Sequence, residues 1–218
     1  ATISVIGLGY VGLPLSILLA QKGYQVIGID IDKKKVDYIN RGKSYIQHVD
    51  SQIVQECLKS EKISATYDFR KVSECDSIII CLPTPLNEYR EPDLSYIITT
   101  IDKICPYLVE NQLLSLESTT YPGTTEEILR PNIEKQGFEI GKNYFLSYSP
   151  EREDPGNKFF NTHTIPKVVG GSTKNCLKVA LSLYKNIISK VIPVSSTKTA
   201  EMTKLLEEHG KKSNDELE

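Results

Sequence analysis

Short runs rich in aliphatic and β-branched residues recur along the chain: TISVIG, QVIGID, SIIICLP, LLSLES, YFLSYS, KVVGG and KVIPVS. Most are continuous apolar stretches rather than apolar–polar alternations. That pattern suits strands covered on both faces, as in a parallel sheet. Between them, segments of helical period run over residues 11–22, 33–41, 51–60, 94–108, 124–136 and 174–187. Strand and helix alternating in this way predict an α/β fold: a doubly wound, mostly parallel sheet with helices on both faces and right-handed crossovers. No internal repeat and no Gly/Ser linker interrupts the series. The clear shift in composition comes after Leu206, where the chain turns polar and charged.

Composition narrows the function classes. The 218 residues are 39% hydrophobic and 25% charged, with a formal net charge of −2. There is no basic surplus to suggest nucleic acid and no acidic tract to suggest disorder. No apolar run approaches the roughly 20 residues that span a bilayer. The opening ATISVIG lacks a basic n-region and a small-residue cleavage site, so no signal peptide is expected. These features predict a cytoplasmic protein with neither nucleic-acid nor membrane partners. The cysteines are Cys57, Cys75, Cys81, Cys105 and Cys176, odd in number and without a CxxC pair. Scattered free thiols are expected, and no disulfide or zinc framework.

The first chemical motif lies in SVIGLGYVGLPLSILLAQKG, where Gly7, Gly9 and Gly12 have GxGxxG spacing. Alone the spacing is weak. Here it follows an apolar strand, opens an apolar helix and leads into a second strand, the context a dinucleotide fingerprint needs. Gly7 permits the tight turn, Gly9 lets the backbone approach a pyrophosphate, and Gly12 lets the helix pack closely on the strand. The pyrophosphate is expected on backbone N–H groups at the positive end of the helix, around Gly9, Tyr10, Val11 and Gly12. A glycine-rich turn without a ligand is the alternative. Asp30 ends the second strand, 23 residues after Gly7. A carboxylate there accepts hydrogen bonds from ribose hydroxyls and repels a 2′-phosphate, favouring NAD over NADP. Lys33, Lys34 and Lys35 work against that preference, since a lysine offsets the repulsion; a solvated helix start accounts for Lys33 and Lys34.

The wording GLGYVGLPLS resembles the opening of the UDP-glucose/GDP-mannose dehydrogenases. CLPTPL with PDLS after it, ESTTYPGTT, SPEREDPGN, IPKVVGG and AEMTKLLE follow in the same order, covering the chain to about Glu207. SPEREDPGN is most similar to the branch that acts on UDP-N-acetylhexosamines, in particular the UDP-N-acetylglucosamine 6-dehydrogenases. The resemblance implies a Rossmann-type domain and two NAD consumed per sugar nucleotide. It also implies a homodimer for the full-length protein, built on a long connecting helix.

Physical features of the later motifs agree. Pro83 and Pro85 brace a loop at the carboxyl end of a buried strand, where open α/β sheets bind ligands. Thr84 in that loop offers a hydroxyl to the cofactor. Cys81, just before it, reads as core rather than nucleophile. Pro122 and Gly123 enforce a turn, and Thr124 or Thr125 is expected to cap a helix carrying Glu126 and Glu127 in its first turn. Capping leaves Ser118 and Thr119 unexplained; the resemblance places them on the nicotinamide side, Thr119 at the reacting centre. Glu151 emerges beyond YFLSYS, where a carboxylate positions or deprotonates a water if partly desolvated; the family's matching glutamate handles water. A surface loop acid is the plainer alternative. Arg152 pairs with Glu153 or Asp154, or contacts substrate. By family position Lys35 lies near the adenosine ribose.

Ser195 or Ser196 is expected to cap a last helix, with Ala200, Thr203 and Leu206 as its buried stripe. The resemblance matches Lys204 to a catalytic lysine. The family carries asparagine four residues later; this chain has Glu208, and HGKKSNDELE continues no family motif. The family's second half supplies a sugar-binding domain and a cysteine in a Gly-Gly-x-Cys setting, which no cysteine here matches. That thiol captures the aldehyde covalently between two oxidations. The expected organisation is an NAD-binding domain over residues 1–195, then the start of the connecting helix and a polar tail over 196–218, with the substrate domain absent. Such a truncated chain should fold and bind NAD but not turn over. The competing readings are a β-hydroxyacid-type dehydrogenase and a non-enzymatic NAD-binding module.

Overall fold

The expected apolar runs all become strands, and they enclose one strand that the apolar pattern does not announce. A computed structural model describes residues 1–86, 88, 92–151 and 166–203. Its strands are β1 (Thr2–Ile6), β2 (Gln25–Ile29), β3 (Ile63–Thr66), β4 (Ser77–Ile80), β5 (Leu113–Leu116), β6 (Phe145–Tyr148), β7 (Lys167–Gly171) and β8 (Val191–Val194). They form one sheet in the order β3-β2-β1-β4-β5-β6-β7-β8. Neighbours pair parallel except β6 and β7, which are antiparallel. β3 is the unannounced strand. Its sequence ISAT turns only Ile63 and Ala65 fully inward, too short a signal to stand out from the loop around it.

The helices are α1 (Gly12–Gln21), α2 (Lys33–Asn40), α3 (Ser51–Lys59), α4 (Ser95–Ile104), α5 (Arg130–Glu134) and α6 (Lys174–Ile187). Successive strand residues point to opposite faces. Ile3, Val5 and Ile79 join a core with α1, α3 and α6. Ile6, Ile78 and Ile80 join a second core with α4, α5 and Leu129. This two-sided burial is why the strands read as unbroken apolar runs.

Two expected helices are shorter than their period suggests. α4 stops at Ile104 and tightens into a 3₁₀ turn over Cys105–Tyr107. The helix expected over 124–136 opens as a π turn, Thr125–Leu129, before α5 begins. Pro131 lacks the N–H that would bond back to Glu127, so regular α pitch cannot run through this stretch. Neither threonine caps it by its side chain; Thr124 Oγ1 instead donates to the Tyr121 carbonyl at 2.8 Å. Beyond β8, residues 197–203 are helical. Of the two candidate caps it is Ser196 whose hydroxyl accepts from Thr199 N, at 3.1 Å. Ala200 is buried as expected and Thr203 is half-buried. Leu206 lies outside the described residues. No helix among the described residues is long and apolar enough to cross a membrane.

Close approach of α1 to β1 depends on Gly12. A methyl group there would lie 1.7 Å from the Gly7 carbonyl oxygen, a main-chain atom that cannot swing aside. Overpacking of this kind costs about 1–3 kcal/mol or more, and each kcal/mol moves Tm by roughly 2–4 °C in a domain of this size. Gly12→Ala should therefore lower Tm by at least several degrees in a thermal melt. An unchanged Tm would mean that α1 does not sit on the Gly7 carbonyl.

Candidate functional site

The carboxyl ends of β1, β2, β4 and β5 meet at one edge of the sheet, and the candidate residues gather there. Gly7 follows β1 at φ +92°, the left-handed region that glycine occupies without strain. Its N–H donates to the Ile29 carbonyl at 2.8 Å, tying the turn to the end of β2. Gly9 faces open space, with no atom within 4 Å of the position a Cβ would take. A side chain there would fill the cradle that a pyrophosphate needs. Val11 holds the N-cap position of α1; no side chain caps this helix, and no acidic residue sits in its first turn. Its N-terminal amides therefore face the cradle without a competing carboxylate. Tyr10 is exposed and stacks on His48 at 6.0 Å between ring centroids.

Asp30 joins this turn to the next element. Its carboxylate is buried, accepting from Leu8 N at 2.8 Å and from Asp32 N at 2.9 Å. Lys35 Nζ stands 3.4 Å away. Beside Asp30 a cavity of about 260 Å³ is walled by Ile6, Ile29, Phe69, Leu82 and Thr99. An apolar slot next to a carboxylate suits a purine with its ribose hydroxyls on the acid. Tyr45 donates its hydroxyl to the Leu8 carbonyl. Burial raises its pKa, and the charges of Asp30 and Asp32 raise it further, so it stays a phenol donor.

The loops after β4 and β5 are laced together by the predicted hydroxyls. Thr84 Oγ1 donates to the Thr119 carbonyl at 2.6 Å, and Ser118 Oγ accepts from Leu82 N at 2.9 Å. Tyr148 fixes the Ser118 carbonyl at 3.0 Å. Ser118 is buried and Thr119 half-buried. Thr84 and Ser118 thus shape the rim as well as lining it. Lys204 and Arg152 lie outside the described residues.

Two features were not anticipated from sequence. Beneath the rim, Lys167 Nζ pairs with Glu117 Oε2 at 2.8 Å, with both residues buried. Tyr184 donates to Glu117 Oε1 at 2.5 Å, Ser115 bonds to the Tyr184 hydroxyl at 2.7 Å, and Lys167 lies 5.3 Å over the Tyr184 ring. Burial raises Glu117 and opposes the charge on Lys167, yet Glu117 and Glu151 carry Lys167 above its ordinary value. With the ammonium so held and the phenol donating, the geometry supports an ionised pair. Glu151, half-buried at the end of β6, is close enough for its charge to act on both partners. The available signal was a lysine and a glutamate at the ends of otherwise apolar runs. The second feature is Glu201, fully buried against the turn around Gly123. Burial raises it, against the hydrogen bonds from Thr125 and Gly123.

All the cysteines are buried free thiols. Burial pushes Cys75 up to about 12 and Cys105 to about 11, and raises Cys57. These thiols are protonated at neutral pH and poorly suited to nucleophilic attack. Among the described residues, no three His, Cys, Asp or Glu side chains gather as a metal site requires.

An open parallel sheet, a glycine turn opening an uncapped helix and a strand-end aspartate define a dinucleotide-binding domain of the Rossmann type. The chain belongs to the UDP-glucose/GDP-mannose dehydrogenase family, whose NAD binding domain matches residues 1–188. It is 35% identical over 207 residues to the UDP-N-acetyl-D-glucosamine 6-dehydrogenase of Pseudomonas aeruginosa, covering 94% of this chain and 48% of that protein. The UDP-N-acetyl-mannosamine dehydrogenase structure from Staphylococcus aureus superposes with a TM-score of 0.89 at 33% identity, over 95% of this chain and 51% of that one. GDP-mannose dehydrogenase from Pseudomonas aeruginosa, solved as a ternary complex, gives a TM-score of 0.90 at 28% identity, over 97% and 50%. The chain thus spans about half the length of the relatives it matches. NAD is the cofactor this family domain binds, and the open cradle at Gly9 with Asp30 beside it fits that molecule.

Breaking a buried ion pair by removing one partner costs about 3–5 kcal/mol. Lys167→Met should therefore lower Tm by roughly 10 °C or more. Adding Glu117→Leu removes the orphaned charge and should recover part of the loss. Thermal melts of the single and double variants check this; additive losses would show that the two side chains are not paired.

Proposed function

We propose that this chain is the NAD-binding half of a nucleotide-sugar 6-dehydrogenase that oxidises a UDP-N-acetylhexosamine to the uronic acid with two NAD. Residues 1–195 form the cofactor domain, and 196–218 hold the start of the connecting helix and a polar tail. The full-length protein is a homodimer. The observation that carries this reading is the Gly7–Gly12 turn with Asp30 behind it, joined to strand-end loops that bear Thr84, Ser118 and Thr119. Relatives named for the glucosamine and the mannosamine sugar nucleotide match about equally well. The SPEREDPGN stretch makes UDP-N-acetylglucosamine the first substrate to test.

When bound, NAD accepts the hydride. The protein's own residues position and polarise. Amides at Gly9, Tyr10, Val11 and Gly12 hold the pyrophosphate, and Asp30 with Lys35 holds the adenosine ribose. Thr84, Ser118 and Thr119 fix the nicotinamide side of the cleft. Lys204 stabilises the developing alkoxide by charge and hydrogen bonding. Glu151 orients and deprotonates the water that hydrolyses the covalent intermediate. The thiol for that intermediate comes from the substrate domain, not from the buried cysteines here.

Calorimetric titration of the chain tests the cofactor role. NAD should bind more tightly than NADP, and Asp30→Ala should weaken NAD by about 1–3 kcal/mol, the cost of unpaired buried polar groups. Equal affinities, or a preference for NADP, would remove Asp30 from the ribose. In the full-length protein, Lys204→Ala should slow the first oxidation, while Glu151→Gln should let the covalent thioester accumulate. Unchanged turnover in Glu151→Gln would make Glu151 a loop acid.

A further inference from the structure

The helical segment 197–203 buries an acid beside the stripe that the sequence pattern expects. Thr197, Ala200 and Glu201 are all fully buried, at helix positions i, i+3 and i+4 that share one face. The face packs on β7 through Gly170, where a Cβ would lie 2.2 Å from the Ser196 carbonyl oxygen. Only a glycine lets the segment come this close. A glutamate inside such a contact is costly unless every oxygen finds donors.

Glu201 finds them on one turn, far away in sequence. Oε1 accepts from Thr125 N at 2.9 Å and from Thr125 Oγ1 at 2.7 Å. Oε2 accepts from Gly123 N. Alongside, Thr197 Oγ1 donates to Glu126 Oε1 at 3.0 Å. Gly123 and Thr125 sit at the start of the π turn that no local side chain caps. Their N–H groups are the orphan donors of a helical N-terminus, and a carboxylate there is favoured by both hydrogen bonding and the local dipole. Neither Thr124 nor Thr125 caps this turn with its side chain, and the acceptor at its start comes from another element.

The two elements joined in this way each lead to a proposed reacting group. Thr119 lies four residues before Gly123, on the same loop, with its carbonyl held by Thr84. Lys204 follows Glu201 by three residues. We propose that Glu201 is a positioning residue. It clamps the terminal helical segment to the Gly123–Thr125 turn and so fixes the Thr119 loop relative to the helix that leads to Lys204. Glu201 does not touch substrate; it acts through the turn. The inference rests on the reading that Thr119 and Lys204 serve one reaction centre. Misplacement of a catalytic group by about 1 Å costs on the order of 100-fold in rate, so loosening the clamp should show in turnover.

The test uses the full-length protein, with one variant of Glu201 and two of Thr125. Glu201→Ala should lower kcat about 100-fold while KM for NAD and for UDP-N-acetylglucosamine stays within about threefold, the pattern of an interaction felt only in the transition state. Thr125→Val, which keeps the shape and removes one donor, should lower kcat about tenfold, and Thr125→Ser should restore it. The Thr125 pair keeps the test alive if Glu201→Ala fails to fold. In this chain alone, hydrogen exchange at the Gly123 and Thr125 amides should accelerate at least tenfold in Glu201→Ala. Lys204→Ala separates the two claims. If it abolishes turnover while Glu201→Ala and Thr125→Val keep kcat, the clamp is overturned and the reaction centre stands. If Lys204→Ala turns over at the parent rate, the reaction-centre reading is overturned and the clamp with it. A Thr125→Ser variant no better than Thr125→Val also contradicts the clamp.

Discussion

One buried carboxylate holds the mouth of the cofactor cleft. Asp30 accepts from Leu8 N on the glycine turn and from Asp32 N at the entry to α2, with Lys35 close by. Those bonds join the end of β1, the end of β2 and the start of α2 at one point. The turn itself is set by Gly7 donating to Ile29 and by Gly12 seated on the Gly7 carbonyl. Shift Asp30, and the glycine turn, the start of α2 and the apolar slot walled by Phe69 and Leu82 lose their common reference. In the proposed function the carboxylate that organises this turn also discriminates between cofactors, because its charge would repel a 2′-phosphate.

Farther along the sheet edge the design changes from main-chain recognition to buried charge. Glu117, Lys167 and Tyr184 form a network under the rim, and Glu151 stands at the strand end beside it. Such pairs contribute little net stability, since desolvation offsets the Coulomb gain. Their value lies in fixing where charge sits. Glu201 applies the same device one layer out, with main-chain donors in place of a lysine. Both networks bridge elements that meet only in the folded chain, and both lie next to loops that carry the proposed chemistry.

Local rules made the first half of the site legible. GxGxxG between a strand and a helix, and an acid at the end of the next strand, are short-range patterns with a direct mechanical reading. Gly7, Gly9, Gly12 and Asp30 stand where that reading put them. β3 escaped because ISAT commits just two side chains to the core. The capping rule failed at Thr124 and Thr125 because their hydroxyls are committed elsewhere, Thr124 Oγ1 to the Tyr121 carbonyl and Thr125 Oγ1 to Glu201, 76 residues away. The Glu117–Lys167 pair spans 50 residues, and nothing in either neighbourhood announces its partner. The buried face of the last segment is rotated from the expected stripe toward Thr197 and Glu201, because Glu201 finds its donors on the distant Gly123–Thr125 turn. The cofactor cradle is built from neighbours in sequence; the clamps around the reacting end are built from strangers.

If the Gly7–Gly12 turn and Asp30 form the NAD site, an NMR titration of the isotope-labelled chain with NAD should give saturable shifts at the amides of Gly9, Tyr10, Val11 and Gly12. Leu8 and Asp32 should follow as the Asp30 carboxylate engages ribose hydroxyls, with smaller shifts at Thr84 and Thr119. Saturable shifts confined to other surfaces, or a turn unchanged at millimolar NAD, would contradict it.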